Sequence, residues 1–412
     1  MTPAPEAPTQ RALVTTVLVG ALGYFVDIYD LLLFTIVRVP SLRSLGVSEA
    51  ALLNEGLGLL SIQMWGLLAG GILWGVLGDK RGRLSVLFGS ILLYSVANIA
   101  NAFVHSLEGY AFWRFVAGVG LAGELGAAIT LVSEMLPARV RGYGTATVAG
   151  VGLLGAVAAA LVGRYLPWRT AYIIGGVMGL ILLATRLSMF ESGMFSRTRD
   201  DAAVTRGNFF ALFTQSGRFF RYLRCILIGV PIWFVVGILV AASPELGRQM
   251  GATGPVSAGD AVLATYVGLA VGDLSSGFLS QWVGSRKKVV ALYLTATALL
   301  SAVYLSLSGP TPSFVYGLCM ALGVAIGYWA VFVTIAAEQF GTNLRATVTT
   351  SVPNFVRGSV PLLTWSFKAL QRDAGLSMSA SARVVGLVCV SLAALSLFKM
   401  EETFGRELDF HE

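Results

Sequence analysis

Charge is what this 412-residue chain has least of. Asp, Glu, Lys and Arg together make up 12% of it, about half the share usual in a soluble protein. So few charges cannot cover a water-facing surface of this size, which argues against an ordinary soluble enzyme or binding module. Cysteine is scarce as well. Cys225, Cys319 and Cys389 all lie in apolar stretches, so they read as small core residues, and neither a disulfide framework nor a thiolate metal site is expected. The two histidines, His105 and His411, are too few and too far apart for a histidine metal site, and no cofactor is expected. No nucleophile, base and orienting group stand at usable spacing, so the chain does not read as an enzyme. The net charge of +7 would direct a soluble protein toward nucleic acid. Here it fits loop Lys and Arg beside a bilayer, and no nucleic-acid partner is expected.

What is present is apolar length. Hydrophobic residues form 56% of the chain and the mean hydropathy is +0.75. A helix needs about 20 apolar residues to cross ~30 Å of hydrocarbon, so twelve crossings use about 240 residues and leave short loops. Apolar runs over 12–37, 56–78, 84–104, 109–133, 144–163, 169–187, 222–242, 260–283, 289–307, 313–336, 346–367 and 381–399 are read as twelve transmembrane helices. The first is long enough to span and is not expected to be a cleaved leader. The 48 glycines agree, because helices in lipid associate through small residues that let backbones approach. The fold class is therefore an all-α membrane protein.

The one long polar stretch, Arg-rich and covering 188–221, divides the chain into an N-terminal six-helix bundle (1–187) and a C-terminal one (222–412). With both termini on the same side, nineteen Lys and Arg fall on that side and eight on the other, Arg114 and Arg357 lying inside helices. The positive-inside rule makes the nineteen-rich side cytoplasmic. The halves also repeat each other. Gly75-Val-Leu-Gly-Asp79-Lys-Arg-Gly82-Arg83 after the second helix is echoed by Gly277-Phe-Leu-Ser-Gln281-Trp-Val-Gly284-Ser-Arg286-Lys287 after the eighth, 202 positions on. Glu134 with Arg141-Gly142 is echoed by Glu338 with Arg345-Ala346, 204 positions on. Two unrelated motifs at nearly one offset mean a duplicated six-helix unit, the architecture that places a midplane site between two rocking halves.

These motifs carry a resemblance. Gly75-x-Leu-x-Asp79-x-x-Gly82-Arg83 resembles the loop signature of the major facilitator superfamily, and Arg114-x-x-x-Gly118-x-Gly120 resembles its fourth-helix motif. Glu134-x-x-Pro137-x-x-x-Arg141-Gly142 is similar to the end of helix four in its sugar, organic-ion and metabolite branches. Asp27-Ile-Tyr-Asp30 and Gly120-Leu-Ala-Gly123-Glu124 look like the metabolite:proton symporters, and Arg345 followed by Arg357-Gly-Ser-Val-Pro361 is similar to organic-anion and aromatic-acid carriers. The sequence departs from the pattern at Leu84, Gln281 and Gly341, and the helix-five stretch Gly150-Val-Gly152-Leu-Leu-Gly155 lacks the proline of the drug/proton antiporters. The resemblance implies two pseudo-symmetric six-helix bundles in an inner cell membrane, both termini cytoplasmic and the chain a monomer.

A charge at the centre of a spanning helix costs at least about 2.5 kcal/mol, so the few present are expected to be paired, cavity-facing and functional. Asp27 and Asp30 lie three apart on one helical face, and two carboxylates in low dielectric cannot both ionise cheaply. The resemblance implies that Asp30 pairs with Arg114 as the proton-coupling element, with Asp27 assisting and Glu124 as a second protonatable group. A static bridge between helices one and four is the plainer reading of Asp30 and Arg114. Arg357 is the candidate anion hook, since a guanidinium holds a carboxylate in two places where Lys cannot. Asp273 is either its permanent partner or part of the substrate site. Tyr24, Tyr29, Trp65, Tyr328 and Trp329 are candidate cavity-lining aromatics, though membrane aromatics more often pack or sit at the interface. Asp79, Arg83, Glu134, Arg141, Glu338 and Arg345 are the candidate gating residues. Run from Gly118 to Gly126, the glycines lie within a helix and serve close packing.

The reading is a proton-coupled symporter of a small organic acid working by alternating access. An exporter of drugs or metabolites stays open. So does a carrier of a cationic or zwitterionic solute using Asp27, Asp30 and Glu124 directly. A membrane receptor would need a soluble signalling domain for which no stretch is long enough.

Overall fold

The computed structural model describes residues 10–48, 51–185 and 208–410, and among them there is no strand. Long helices run as α1 (Gln10–Ser44), α2 (Leu52–Arg81), α3 (Arg83–Asn101), α4 (Leu107–Met135), α5 (residues 138–165), α6 (Trp168–Thr185), α7 (Ser216–Val240), α8 (Ala258–Val283), α9 (Arg286–Tyr304), α10 (Pro312–Gln339), α11 (residues 345–373) and α12 (Met378–Phe398). Eleven of these are long and apolar enough to cross a membrane; α11 is not. Its first half, Arg345–Gly358, carries Thr347, Thr349, Thr350, Ser351, Asn354 and Arg357, all buried. A helix enclosed by protein needs no apolar face toward lipid, so the hydropathy expected of a spanning segment is missing where enclosure is most complete. Most of the expected polar linker 188–221 lies outside the described residues. From Asn208 onward the chain is already turning into helix, with Ala211–Thr214 and then α7 beginning at Ser216 rather than 222.

Four helices break, and the breaks obey the sequence repeat. α4 is interrupted at Ala122–Gly123 and α10 at Ile326–Tyr328, so Gly123 and Gly327 stand 204 positions apart. α5 breaks at Leu154, and α11 at Ser359, beside Pro361, which has no N–H for the helical ladder. The glycines around the breaks permit close approach. A Cβ on Gly123 would meet Trp74 Cγ at 2.9 Å, and one on Gly327 would meet the Asp273 nitrogen at 2.7 Å.

The halves meet most tightly at one end, here termed the terminal face. Both described chain ends lie there: Val17 near the start of α1 faces Gly144 at the start of α5, and Phe410 O accepts the Thr342 N–H. Gly75 of α2 faces Thr347 of α11, where a Cβ would sit 2.8 Å from Thr347 Cα. The symmetric Gly277 of α8 faces the Gly142 carbonyl of α5 at 3.1 Å. Such backbone contact is how small residues join helices where lipid supplies no hydrophobic drive.

Candidate functional site

Two charge clusters shut the terminal face, and each draws on both halves. In one, Glu134 accepts from Arg83 Nη2 at 2.7 Å and from Arg345 Nη1 of the other half at 3.0 Å. In the other, Glu338 accepts from Arg286 Nη2 at 3.2 Å and from Arg141 Nη1 of the other half at 3.2 Å. All six side chains are buried. Asp79 adds a third tie. Its two carboxylate oxygens accept the N–H groups of Ala346 at 3.0 Å and Thr347 at 2.8 Å. A carboxylate from one half thus caps the positive N-terminus of α11 in the other. With its amide turned so that oxygen faces the donors, Gln281 accepts from Gly142 N, the position equivalent to Ala346. The departure at Gln281 therefore keeps the cap and drops the charge.

The chain end closes beneath both clusters. Leu408 O accepts from Arg345 Nη2 at 2.6 Å, Arg406 O from Arg141 Nη1 at 3.4 Å, and Thr403 donates to Glu338 at 2.7 Å. Glu402 accepts from the Ser285 hydroxyl and from the N–H groups of Arg286 and Phe404, each at 3.0 Å. Burial alone would raise its pKa, but these hydrogen bonds hold it below the ordinary glutamate value.

Above the closed face lies a small cavity between the halves. Tyr24, Ile28 and Leu31 of α1 and Leu153 of α5 form one wall. Trp233, Tyr266, Trp329 and Arg357 come from the other half. Arg357 is 3% exposed. Its Nη1 donates to Asn354 at 3.2 Å and its guanidinium lies 5.3 Å over the Trp329 ring. Among the described residues no carboxylate comes within 4.0 Å of it, and its Nε has no partner. The alternative of a permanent Arg357–Asp273 pair is not what the geometry holds: Asp273 accepts the Ala330 N–H at 3.1 Å, capping the restart of α10.

A second polar compartment lies inside the N-terminal bundle. Arg114 donates to Gln63 of α2 and, at 3.3 Å, to the Tyr172 hydroxyl of α6, with its guanidinium 4.5 Å over Phe34. Asp30 is fully buried in the field of Arg114 and beside Asn98, with no hydrogen bond of normal geometry to either carboxylate oxygen. The two residues share a compartment without forming a direct ion pair. Asp27 is also buried, one turn after the cavity-lining Tyr24 and one turn before Asp30. Glu124 is fully buried at the first position of the second half of α4.

Not every expected lining residue lines the cavity. Tyr29 donates to Ala171 O at 2.9 Å and Tyr328 to Ile228 O at 2.9 Å, so both rings serve helix packing. Trp65 is 62% exposed on the outer surface. Sequence reasoning passed over Arg286, Gln63, Tyr172, Tyr266 and Asn354 as site residues. Arg286 had a signal, since it stands one position past the equivalent of Arg83 in the repeat and, like Arg83, opens a helix; neutral residues such as Gln63 and Asn354 carry none.

The sequence model described as Major Facilitator Superfamily matches residues 20–363. The chain is 29% identical to the 3-(3-hydroxy-phenyl)propionate transporter of Escherichia coli (strain K12), covering 82% of this chain and 83% of that one. It is 27% identical to the niacin transporter NiaP of Acinetobacter baylyi, covering 81% of each. Its fold matches that of the proton:xylose symporter XylE with a TM-score of 0.74 over 98% of both chains, at 16% identity. Two repeated bundles, a cavity between them and a shared-charge closure on one face are thus the setting of a transporter rather than an enzyme, and the chain belongs to the Major Facilitator Superfamily.

Proposed function

We propose that the protein carries a small organic acid, an aromatic monocarboxylate in the first instance, by proton-coupled symport across the inner membrane, with both termini in the cytoplasm. The observation that carries this reading is Arg357, a buried guanidinium without a carboxylate partner in a cavity walled by Tyr24, Tyr266 and Trp329. A buried cation is costly unless something neutralises it, and an incoming carboxylate does so with a bidentate pair. The aromatic walls suit a planar ring. The names of two relatives, a phenylpropionate transporter and a niacin transporter, point the same way.

The proton side is assigned to Asp30 and Arg114, with Asp27 and Glu124 as further protonatable groups along the path. Asp30 sits near Arg114 but unbonded to it, so taking up a proton costs no ion pair and changes only the field at the guanidinium. The described state is closed at the terminal face. Substrate and proton enter from the opposite side, neutralise Arg357 and Asp30, and lower the cost of parting the two charge clusters so that the halves rock. A monomer holds the whole cycle.

Proteoliposomes with an imposed inward proton gradient, offered labelled nicotinate and 3-(3-hydroxyphenyl)propionate, test this. Uptake that needs both the gradient and Arg357 is expected. Gradient-driven export, or binding confined to sugars or cations in a thermal-shift screen, overturns it.

A further inference from the structure

On the outer surface of the C-terminal bundle, α9 and α12 pack side by side but leave their outer seam open. Between them runs a groove of about 520 Å³ lined by Lys287, Lys288, Ala291, Ala298, Ala394 and Phe398, among others. Its floor is made by small residues on one face of each helix: Ala291, Thr295 and Ala298 on α9, Val390 and Ala394 on α12. Its walls stand out into the surroundings, with Leu299 64% and Phe398 83% exposed. The groove is far larger than the central cavity, and it opens sideways, toward where lipid lies.

The charge is confined to one end. Lys287 and Lys288 stand at the head of the groove at the terminal face. Arg224 and Lys399 gather beside them, Arg224 donating to Lys399 O at 3.1 Å. Among the described residues none of the four side chains pairs with a carboxylate within 4.0 Å, while the Lys287 backbone N–H donates to Glu402 at 3.3 Å. Lys287 donates to Phe398 O at 3.3 Å and to Met400 O, which leaves one of its three donor hydrogens. Lys288 is exposed, and its ammonium makes no such bond among the described residues. The groove beneath has the depth of one leaflet. Lys288 and Ala298 are ten residues apart, about 15 Å along a helix, which is half of a ~30 Å hydrocarbon core. Past Ala298 and Val390 a second, smaller hollow of about 270 Å³ continues to Leu305 and Arg383. There the arginine is already spent on Leu305 O at 2.6 Å.

We propose that this seam is a binding site for one anionic phospholipid of the terminal-face leaflet. Its phosphate meets Lys287 and Lys288, and its acyl chains lie along the α9–α12 groove as far as Ala298 and Val390. A zwitterionic lipid of the same chain length fits the groove but brings its own cation to the lysines, so head charge sets the preference. Basic pockets between membrane helices on this side are suited to such heads, each Lys or Arg near the surface adding about 1 kcal/mol, or roughly fivefold in affinity.

The test uses purified full-length protein in nanodiscs of dioleoyl phosphatidylcholine containing either no or one-fifth dioleoyl phosphatidylglycerol. Retained lipid is counted by native mass spectrometry, and thermal stability is measured in parallel. Wild type is expected to retain phosphatidylglycerol over phosphatidylcholine and to melt higher in its presence. Lys288→Gln, which breaks no bond of the folded chain, is expected to lose roughly fivefold of that preference. Ala298→Phe, which fills the groove, is expected to lose both lipids while the lysines remain. Lys80→Gln/Arg81→Gln, in the last turn of α2 at the same face, is expected to change neither. Equal retention of the two lipids by wild type, or an equal loss in the Lys80/Arg81 variant, overturns the proposal. Neither outcome bears on the transport reading, because no substrate enters the measurement.

Discussion

Arg141 and Arg345, 204 positions apart, make the same bonds in opposite directions. Each donates Nε to the carbonyl eight residues before it, Ser133 at 2.9 Å and Ala337 at 3.0 Å, and each sends Nη1 across the molecule to the other half's glutamate. The local bond aims the side chain, and the distant one joins the bundles. Since each glutamate also holds an arginine of its own half, a single carboxylate neutralises two buried guanidinium groups. Removing Glu338 strands both of its arginines, whereas without Glu134 Arg83 still has Asp79 at 3.5 Å.

Glu134→Ala should therefore weaken the closed face more than loss of one hydrogen bond would. Breaking a buried ion pair on one side costs about 3–5 kcal/mol, enough to move a largely closed population toward an open one. Cysteine labelling at the terminal face should rise by tenfold or more, and Glu338→Ala should do at least as much, because the neutral Gln281 stands where Asp79 backs up Arg83. Unchanged labelling in both would remove the clusters from the gate.

Gly126 offers a steric test of the same closure. A Cβ there would fall 2.8 Å from Thr350 Cβ of the opposite half. Gly126→Val should fold, because the clash exists only when the bundles meet, but should lose transport and expose the terminal face. A variant that transports at the wild-type rate would mean the halves never approach this closely during the cycle.

Arg357→Ala should abolish uptake of the acid. Arg357→Lys keeps the charge and loses the fork, and a hydrogen bond to a charged group is worth about 1.5–3 kcal/mol. Affinity should thus drop by about 10- to 100-fold, read by thermal shift or equilibrium binding. Full affinity in the lysine variant would show that charge alone, without bidentate geometry, holds the substrate.

Asp30→Asn should uncouple transport from protons. Uptake against a gradient should disappear while exchange of labelled for unlabelled acid continues, because Arg357 and the cavity are untouched. If the variant still concentrates substrate at the expense of the proton gradient, the coupling group lies elsewhere, with Asp27 or Glu124 next to be tested.

Acid should release the chain end. Glu402 is held below the ordinary glutamate value in the folded protein. A depressed carboxylate contributes stability that is present above its unfolded value and lost as pH falls through the folded one. Between neutral pH and about 5 the strap beneath the clusters should stay in place. Below about 4, where glutamates titrate, protease access to residues 400–410 should increase, and Glu402→Gln should flatten that dependence.

Composition and spacing were enough to determine that this chain lives in lipid, that it is a duplicated set of helices, and which ionisable residues to examine. Those properties are written in one dimension: apolar run length, and two motifs recurring at one offset. They do not reach across the cavity. Asp27 and Asp30 share a helical face by spacing, but spacing does not show that the Asp30 carboxylate lies against Gly175 of α6, in the compartment of Arg114. Only tertiary structure decided that Glu134 and Glu338 each reach an arginine of the other half, that Asp273 caps a helix instead of pairing with Arg357, and that the polar first half of α11 is enclosed by protein. The repeat predicts a scaffold, and the scaffold is symmetric. The chemistry is not, because Arg114 and Arg357 have Leu318 and Leu153 at the equivalent positions. What a buried charge does depends on which neighbours close packing brings within a few ångströms, and that distance is a property of the folded chain alone.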